Sequence, residues 1–189
     1  LRLHDNHGLF KALSTSKKVM AIFIFDPEIL GELNEDDKRV SLIYNRLKEL
    51  NESLKNHGTK INIYHGKPLD VFISLFSSYK IDSVFANTDY EPYAIKRDNS
   101  IAKKAKGLGV NAYFLKDQLI FEKDDILSNS DTPYSVYTPF MKKWMSKFKI
   151  SLTLPFLSQD HLFKLIIEDK VKQVDSLEQM SFVEQEVII

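Results

Sequence analysis

Short apolar runs alternate along this chain with longer segments in which apolar residues recur every three or four positions. Runs bounded by turn residues are typical of buried strands, and they lie at 19–25, 61–64, 83–86 and 110–115. Segments with helical spacing extend from Asp36 or Asp37 to about Gly58, over 69–79 and over 91–108. Strands that alternate with helices predict an α/β domain with a Rossmann-like, doubly wound parallel sheet.

The regular alternation stops after Leu115. A turn-rich stretch follows at 131–138, then a short predicted helix at 139–148 and a loose helical pattern at 160–169. This change of pattern predicts a compact domain over residues 1–130 and a linker over residues 131–189.

Composition narrows the classes of function. The 26 basic and 26 acidic residues cancel, so the domain has no overall field that attracts nucleic acid. The chain has no cysteine, which excludes disulfides, thiolate metal sites and cysteine nucleophiles and fits a reducing compartment. Its apolar runs are too short to span a bilayer, and its first residues do not resemble a signal peptide. We therefore expect a cytoplasmic protein without a membrane partner.

The segment TDYEPYAIKRD, residues 88–98, follows the third predicted strand and begins the helix after it. Ligands of open α/β sheets bind at the carboxyl ends of strands. Asp89 and Glu91 are therefore candidates to accept hydrogen bonds from a ring N–H or a hydroxyl group, but acids at this position also cap helices. Tyr90 and Tyr93 are candidates for stacking on an aromatic ligand or for ordinary packing. Both interpretations stay open from spacing alone.

Other polar residues give weaker signals. Gly66 in the HGKP turn does not belong to a glycine-rich phosphate loop, and the histidines do not have metal-binding spacing. No serine lies in a nucleophile elbow, so the sequence does not predict hydrolase chemistry. A small basic and aromatic patch, Lys142, Lys143, Trp144 and Lys147, suits either a phosphate or base contact or docking against a neighbouring domain. The residues alone thus support a domain with a planar-ligand site and name no reaction.

Five segments, in order, resemble signatures of the DNA photolyase and cryptochrome family, most closely its bacterial class I cyclobutane-pyrimidine-dimer photolyases. They are LRLHDNHGL (1–9), FIFDPEIL (23–30), NTDYEPYAIKRD (87–98), DQLIFEKDDIL (117–127) and TPYSVYTPFMKKW (132–144). The resemblance implies a five-stranded sheet whose first, central strand does not occur in this sequence. Because its neighbours would then have unpaired backbone groups, the terminal VEQEVII (183–189) is one candidate to fill the position.

The family has two parts, and the resemblance covers the first. An N-terminal α/β domain holds a light-harvesting antenna chromophore, and a helical C-terminal domain holds FAD and the damaged dinucleotide. The resemblance therefore implies the antenna domain of a deoxyribodipyrimidine photolyase, inactive alone, with the FAD domain and UV-damaged DNA as partners. The N-terminal domain of a cryptochrome-type blue-light receptor is the alternative, and an adenine-nucleotide-binding domain is a third possibility.

The resemblance also implies site residues. In family members with a deazaflavin or flavin antenna, the acids that match Asp89 and Glu91 lie beside the chromophore, and Tyr93 and Arg39 are candidates for further walls of the crevice. Folate-using members commonly have an Asn-Glu pair where this chain has Tyr93 and Ala94. An alanine cannot hydrogen-bond a pterin, so 8-hydroxy-deazaflavin or FMN is expected rather than methenyltetrahydrofolate.

Overall fold

The computed structural model describes residues 1–187 and has an α/β architecture, as predicted. Its strands each overlap a predicted one: β1 (Ile22–Phe25), β2 (Asn62–His65), β3 (Ser83–Asn87) and β4 (Asn111–Leu115). Its α-helices are α1 (His7–Thr15), α2 (Pro27–Leu30), α3 (Lys38–Leu54), α4 (Pro68–Ser78), α5 (Pro92–Gly107) and α6 (Tyr137–Lys147). The sequence pattern had not predicted α1 and α2.

Local chemistry explains where the helices begin. Side-chain oxygens of Asn6, Asp26 and Asp37 accept backbone N–H groups in the first turns of α1, α2 and α3, which satisfies donors that have no partner inside a helix. Proline occupies the first position of α4 and α5, where its missing N–H costs nothing.

The strands form two parallel pairs and not one continuous sheet. In the first pair Ile22 of β1 lies opposite Asn62 of β2, and in the second Ser83 of β3 lies opposite Asn111 of β4. Within residues 1–187 the two pairs share no strand-to-strand hydrogen bonds. The prediction of a parallel α/β fold is therefore confirmed, whereas a single five-stranded sheet is not seen.

Helices cover both faces of the first pair. On one face, Phe25 packs with α3 and with Leu13 of α1. On the other, Tyr64 of β2 packs with Val71 and Leu75 of α4, and Ile22 and Ile24 of β1 border that cluster. Helix α4 also contacts α5, and α1 contacts both β3 and β4. The two pairs are thus held in one domain by helices that bridge them.

One edge of β1 has no backbone partner among the described residues. Bonds from β2 reach the carbonyl groups of Ala21 and Phe25, at 2.8 and 3.1 Å. Because peptide groups alternate in direction along a strand, those of Ile22 and Ile24 point the opposite way. No described hydrogen bond reaches them.

The same holds for one edge of β3. The Asp82 carbonyl and the Thr88 N–H bond to the β4 segment, at 3.1 and 2.9 Å. The alternate peptide groups, of Ser83, Phe85 and Asn87, therefore face away from β4, and they too lack a described backbone partner. Among the described residues, β1 and β3 therefore each have one edge paired with a neighbouring strand and one edge without a backbone partner.

The segment after α6 folds back onto the domain. Leu162, Leu165, Leu177 and Met180 are buried in the same cluster as Phe25. The helical pattern at 160–169 was a wrong prediction in part: a 3-10 helix spans Ser158–Lys164, and Leu165 then continues in extended conformation. This half of the predicted linker therefore contributes to the core.

The expectation that the terminal segment fills the central position is wrong for residues 183–187. The Val183 N–H donates to the Glu35 carbonyl, at 2.8 Å, and the Gln185 N–H donates to the Ser41 hydroxyl, at 2.9 Å. These bonds hold the segment against the beginning of α3, away from the free edges. Residues 188–189 lie outside the described part of the chain. Within residues 1–187, no helix has the length and apolarity needed to cross a bilayer.

Candidate functional site

The strands of the two pairs are connected through helices on opposite faces, and we call the region between the carboxyl ends of β1 and β3 the switch point. The connection from β1 to β2 passes through α3, and that from β3 to β4 passes through α5. These helices lie on opposite sides, since α3 packs on the Phe25 face and α5 contacts α4 on the other. Right-handed crossovers on opposite faces extend the sheet in opposite directions. Such a switch point is where ligands bind in open α/β sheets.

Asp26 and Tyr93 meet across this point. Asp26 follows β1 and is only 4% exposed. One of its oxygens accepts the Glu28 N–H at 3.0 Å, and the other accepts the Tyr93 hydroxyl. Tyr93 lies in the first turn of α5. Burial, then the hydrogen bond to Asp26 and the charges of Asp26 and Glu28, raise the pKa of Tyr93 to about 12.

Asp89 and Glu91 lie at the beginning of α5, as predicted, but in different environments. Half-buried Asp89 accepts the backbone N–H groups of Tyr90 and Glu91, at 2.7 and 3.3 Å. Asp89 therefore makes local turn contacts of the kind expected from the capping interpretation. Glu91 occupies the capping position of α5, is exposed, and its side chain makes no capping hydrogen bond. Its carboxylate is available to a ligand.

Arg97, one turn further along α5, adds a cation to this group. Burial alone would lower the pKa of its guanidinium, but the hydrogen bond from Nε to Asp98, at 2.7 Å, and the charges of Asp98 and Asp89 raise it overall. Charged residues one turn into a helix usually form a solvated face, so spacing alone does not single out Arg97. The structure instead makes Arg97 part of the polar cluster, with a side chain only 25% exposed.

Two other residues of this segment, Tyr90 before α5 and Ala94 within it, have buried side-chain atoms. Ala94 is 3% exposed, so position 94 offers no polar group and no access to a ligand. The Tyr90 hydroxyl is buried and makes no hydrogen bond of good geometry. Burial, followed by the Glu122 carboxylate beside it, raises the pKa of Tyr90 to about 12.

The structure does not bring Arg39 to this cluster. Its side chain is 71% exposed and pairs with Asp37, at 2.6 Å. The same contact lowers the pKa of Asp37 to about 2. Arg39 as a wall of the crevice stays a prediction that no described contact supports.

Sequence reasoning missed the polar contacts at the beginning of α1. The Asn87 side chain at the end of β3 accepts the Gly8 N–H, at 2.8 Å, and donates to Asn6, at 3.1 Å. Asp117, with its side chain 3% exposed, accepts the His7 N–H at 2.9 Å and pairs with Arg2 at 2.8 Å. The available signal was Asn6, a favoured capping residue placed before a short apolar pattern.

Cavities and the basic patch lie elsewhere. A cavity of about 600 Å³ borders the outer face of α3, and one of about 380 Å³ lies beside His65 at the end of β2. Neither is lined by the predicted site residues. Trp144 of the patch stacks on Phe148 and contacts Phe121 edge-on, so its ring is already engaged. Among residues 1–187, no three His, Cys, Asp or Glu side chains gather as a metal site requires.

Comparison with known proteins gives consistent matches. The family model "DNA photolyase" matches residues 1–158. A deoxyribodipyrimidine photo-lyase of Synechococcus sp. is 36% identical over 149 residues, which are 79% of this chain and 31% of that protein. Cryptochrome-1 of Mus musculus is 26% identical over 188 residues, 96% of this chain and 32% of its own length. The chain thus spans about a third of these curated relatives.

A solved structure extends the likeness to the fold. The archaeal photolyase from Sulfolobus tokodaii, described with two FAD molecules and a novel light-harvesting cofactor, superposes with a TM-score of 0.75. It is 29% identical, and the match covers 99% of this chain and 41% of that one. The chain therefore belongs to the DNA photolyase family.

Proposed function

We propose that this chain is the light-harvesting domain of a deoxyribodipyrimidine photolyase and binds an antenna chromophore at the switch point. The observation that carries the proposal is the polar group formed there by Asp89, Glu91 and Arg97 in a chain of this family. Carboxylates suit the N–H and hydroxyl groups of a flavin-like ring, and the carboxyl ends of strands are where ligands bind in open α/β folds.

We further propose 8-hydroxy-deazaflavin or FMN as the chromophore and not methenyltetrahydrofolate. Ala94 is buried and apolar, and the Tyr93 hydroxyl already donates to Asp26. The two positions that carry the polar pair of folate-using relatives are therefore without a free polar group. The FAD-containing Sulfolobus tokodaii structure shows that a relative holds two flavin molecules.

The chromophore and the protein have different roles in this proposal. When bound, the chromophore absorbs light and passes the excitation to FAD. The chain's own residues bind and orient the ring: Asp89 and Glu91 accept its hydrogen bonds, and Arg97 balances their charge. A fixed orientation matters because transfer depends on the angle between the two chromophores.

Catalysis, in this proposal, belongs to a helical FAD domain of the whole protein, and UV-damaged DNA is recognised through that domain. Helix α6 and the segment after it present a surface for such a partner. Its exposed apolar side chains are Tyr137, Met145, Ile150 and Leu154. A large exposed apolar surface on a soluble domain marks an interaction site. In this proposal residues 131–189 form the linker between the antenna domain, over residues 1–130, and the FAD domain of a cytoplasmic protein, and the part of the linker that includes Leu162 and Leu177 packs on the antenna domain.

A fifth strand between β1 and β3 completes the sheet in the same proposal. Ile22 and Ile24 on one side, and Phe85 and Asn87 on the other, direct their peptide groups at the gap, and unpaired backbone groups inside a sheet are costly. Hydrogen exchange of the full natural polypeptide tests this. We expect the amides of these residues to exchange as slowly as those paired between β1 and β2; fast exchange would contradict a fifth strand.

A cryptochrome-type light receptor is the second candidate, because the relatives include cryptochromes. Repair of cyclobutane pyrimidine dimers by the full natural polypeptide under blue light separates the two. We expect repair. A protein that retains FAD but repairs no dimers would be a cryptochrome.

The chromophore site is tested with the double variant Asp89→Ala, Glu91→Ala. We expect it to lose binding of both FMN and 8-hydroxy-deazaflavin in the full natural polypeptide, with an unchanged circular dichroism spectrum. The matched control changes two acids away from the switch point, Glu52→Ala and Asp82→Ala, and should bind as the parent does. Equal binding by both double variants would refute the site.

A further inference from the structure

We infer that Tyr93 is a positioning residue, whose hydrogen bond to Asp26 holds the beginning of α5, with Asp89 and Glu91, against the end of β1 at the chromophore site. The inference rests on the proposed function, because it assigns how the same site is built. It also changes the role expected of Tyr93, from a wall that touches the ligand to a contact made within the protein.

The Tyr93–Asp26 hydrogen bond is important because of the two parts of the domain that it connects. Within residues 1–187, it is the one hydrogen bond that directly joins the β1 and β2 half, residues 19–66, to the β3 and β4 half, residues 83–125. The other connections between the halves run through helices, such as the contact of α4 with α5. The bond therefore connects the first turn of α5 to the residue that follows β1, and this connection is compatible with a fifth strand between β1 and β3.

Asp26 has strong physical reasons to keep this bond. The residue is 4% exposed, and one of its oxygens is already used to cap α2. Burying a carboxylate is costly unless both oxygens are hydrogen-bonded, and the Tyr93 hydroxyl supplies the second contact. The same hydroxyl proton cannot also be donated to a ligand. Ligand recognition is thus left to Asp89 and Glu91, while Tyr93 holds in place the beginning of the helix next to these two acids.

Tyr90 provides a matched control three positions away. Its hydroxyl is also buried, but it makes no hydrogen bond of good geometry. Tyr93→Phe and Tyr90→Phe therefore remove the same atom from neighbouring sites, and only Tyr93→Phe breaks a contact between the two halves. General effects of losing a buried hydroxyl should appear in both variants.

The test is a titration of the full natural polypeptide, freed of chromophore, with FMN and separately with 8-hydroxy-deazaflavin. We expect Tyr93→Phe to raise Kd by up to about tenfold, because the acids that bind the ring are then no longer held in the binding geometry before the ligand arrives, and to shift the absorption bands of the bound ring. Tyr90→Phe should leave Kd and spectrum unchanged. A purely structural role of Tyr93 would lower the urea midpoint but leave Kd and the bound spectrum as in the parent.

A double-mutant cycle identifies the partner through which Tyr93 acts. Asp26→Asn retains an oxygen for the α2 cap but weakens the contact with Tyr93. If the two residues act as one unit, the Kd of the double variant should be close to that of Tyr93→Phe alone. Multiplicative effects on Kd would overturn the inference, as would equal Kd for the parent and Tyr93→Phe. Failure of the parent to bind either ring would instead overturn the proposed function, and this inference with it.

Discussion

The backbone N–H of Gly8 donates to the side-chain oxygen of Asn87 at 2.8 Å, so that α1 begins against the carboxyl end of β3. A Cβ atom at position 8 would lie 2.7 Å from that oxygen and 3.3 Å from the Ala86 backbone. A side chain at position 8 would therefore displace the Asn87 side chain and crowd the Ala86 backbone. The contact attaches the chain's first helix to the strand that borders the switch point.

Replacement of Gly8 by alanine should destabilise the domain. The new methyl group would push α1 away from β3 and disturb the bond to Asn87, and overpacking of this kind costs about 1–3 kcal/mol. Urea unfolding followed by circular dichroism measures the change. An unaltered urea midpoint would show that α1 can move away from β3 without loss of stability.

Gly107→Ala is the matched control for that substitution. Gly107 is the last residue of α5, and a Cβ there would meet no atom within 4 Å. Alanine is favoured over glycine in helices by about 0.5–1 kcal/mol, so this variant should be as stable as the parent or slightly more so. A loss equal to that of Gly8→Ala would point to a general sensitivity to glycine replacement.

Replacement of Asp117 should weaken the attachment of α1 to the end of β4. Its buried carboxylate accepts the His7 N–H and the Arg2 guanidinium, so Asp117→Ala leaves a half-buried donor without a partner, at a cost of about 1–3 kcal/mol. Asp117→Asn keeps an acceptor for His7 and should cost less. Urea midpoints of the two variants give the comparison, and equal loss would assign the effect to the charge pair with Arg2 alone.

An exposed ion pair provides the contrast. Glu52 pairs with Lys55 at 2.5 Å, but both side chains are about 70% exposed, and such pairs contribute little in water. Glu52→Ala should leave the urea midpoint unchanged. A loss like that of Asp117→Ala would mean that burial is not the deciding difference.

The elements were predictable where the sequence carries a local signal. Helices pack on both faces of β1 and β2, and strands buried in this way have continuous apolar runs in their sequence. The longer helices have apolar residues at regular intervals of three or four positions. Helix α2 has four residues, too few for a period to be visible. The inward folding of residues such as Leu177 and Met180 was not predictable, because isolated apolar residues in an irregular segment have no period.

The site was predictable in part. Asp89 and Glu91 could be predicted as site residues because they follow a predicted strand. Chain order alone places such residues at the edge of the sheet. The bond between Tyr93 and Asp26 joins residues 67 positions apart, and only the three-dimensional arrangement reveals it. In sequence, Asp26 was the first residue of an Asp-Pro turn, with nothing to indicate that it would be buried.

The buried tyrosines should make stability fall at high pH. Tyr90 and Tyr93 each have a pKa raised from 10.0 to about 12, with burial as the first cause. A raised folded-state pKa contributes stability that is fully present below the unfolded value and lost as pH rises from 10 towards 12. The contribution of these two tyrosines to the urea midpoint should therefore be constant below pH 10 and decrease above it. Tyr93→Phe and Tyr90→Phe should each make that decline shallower, and phenolate absorbance should show one fewer late-titrating group in either variant; a decline of unchanged slope in both would contradict the assignment.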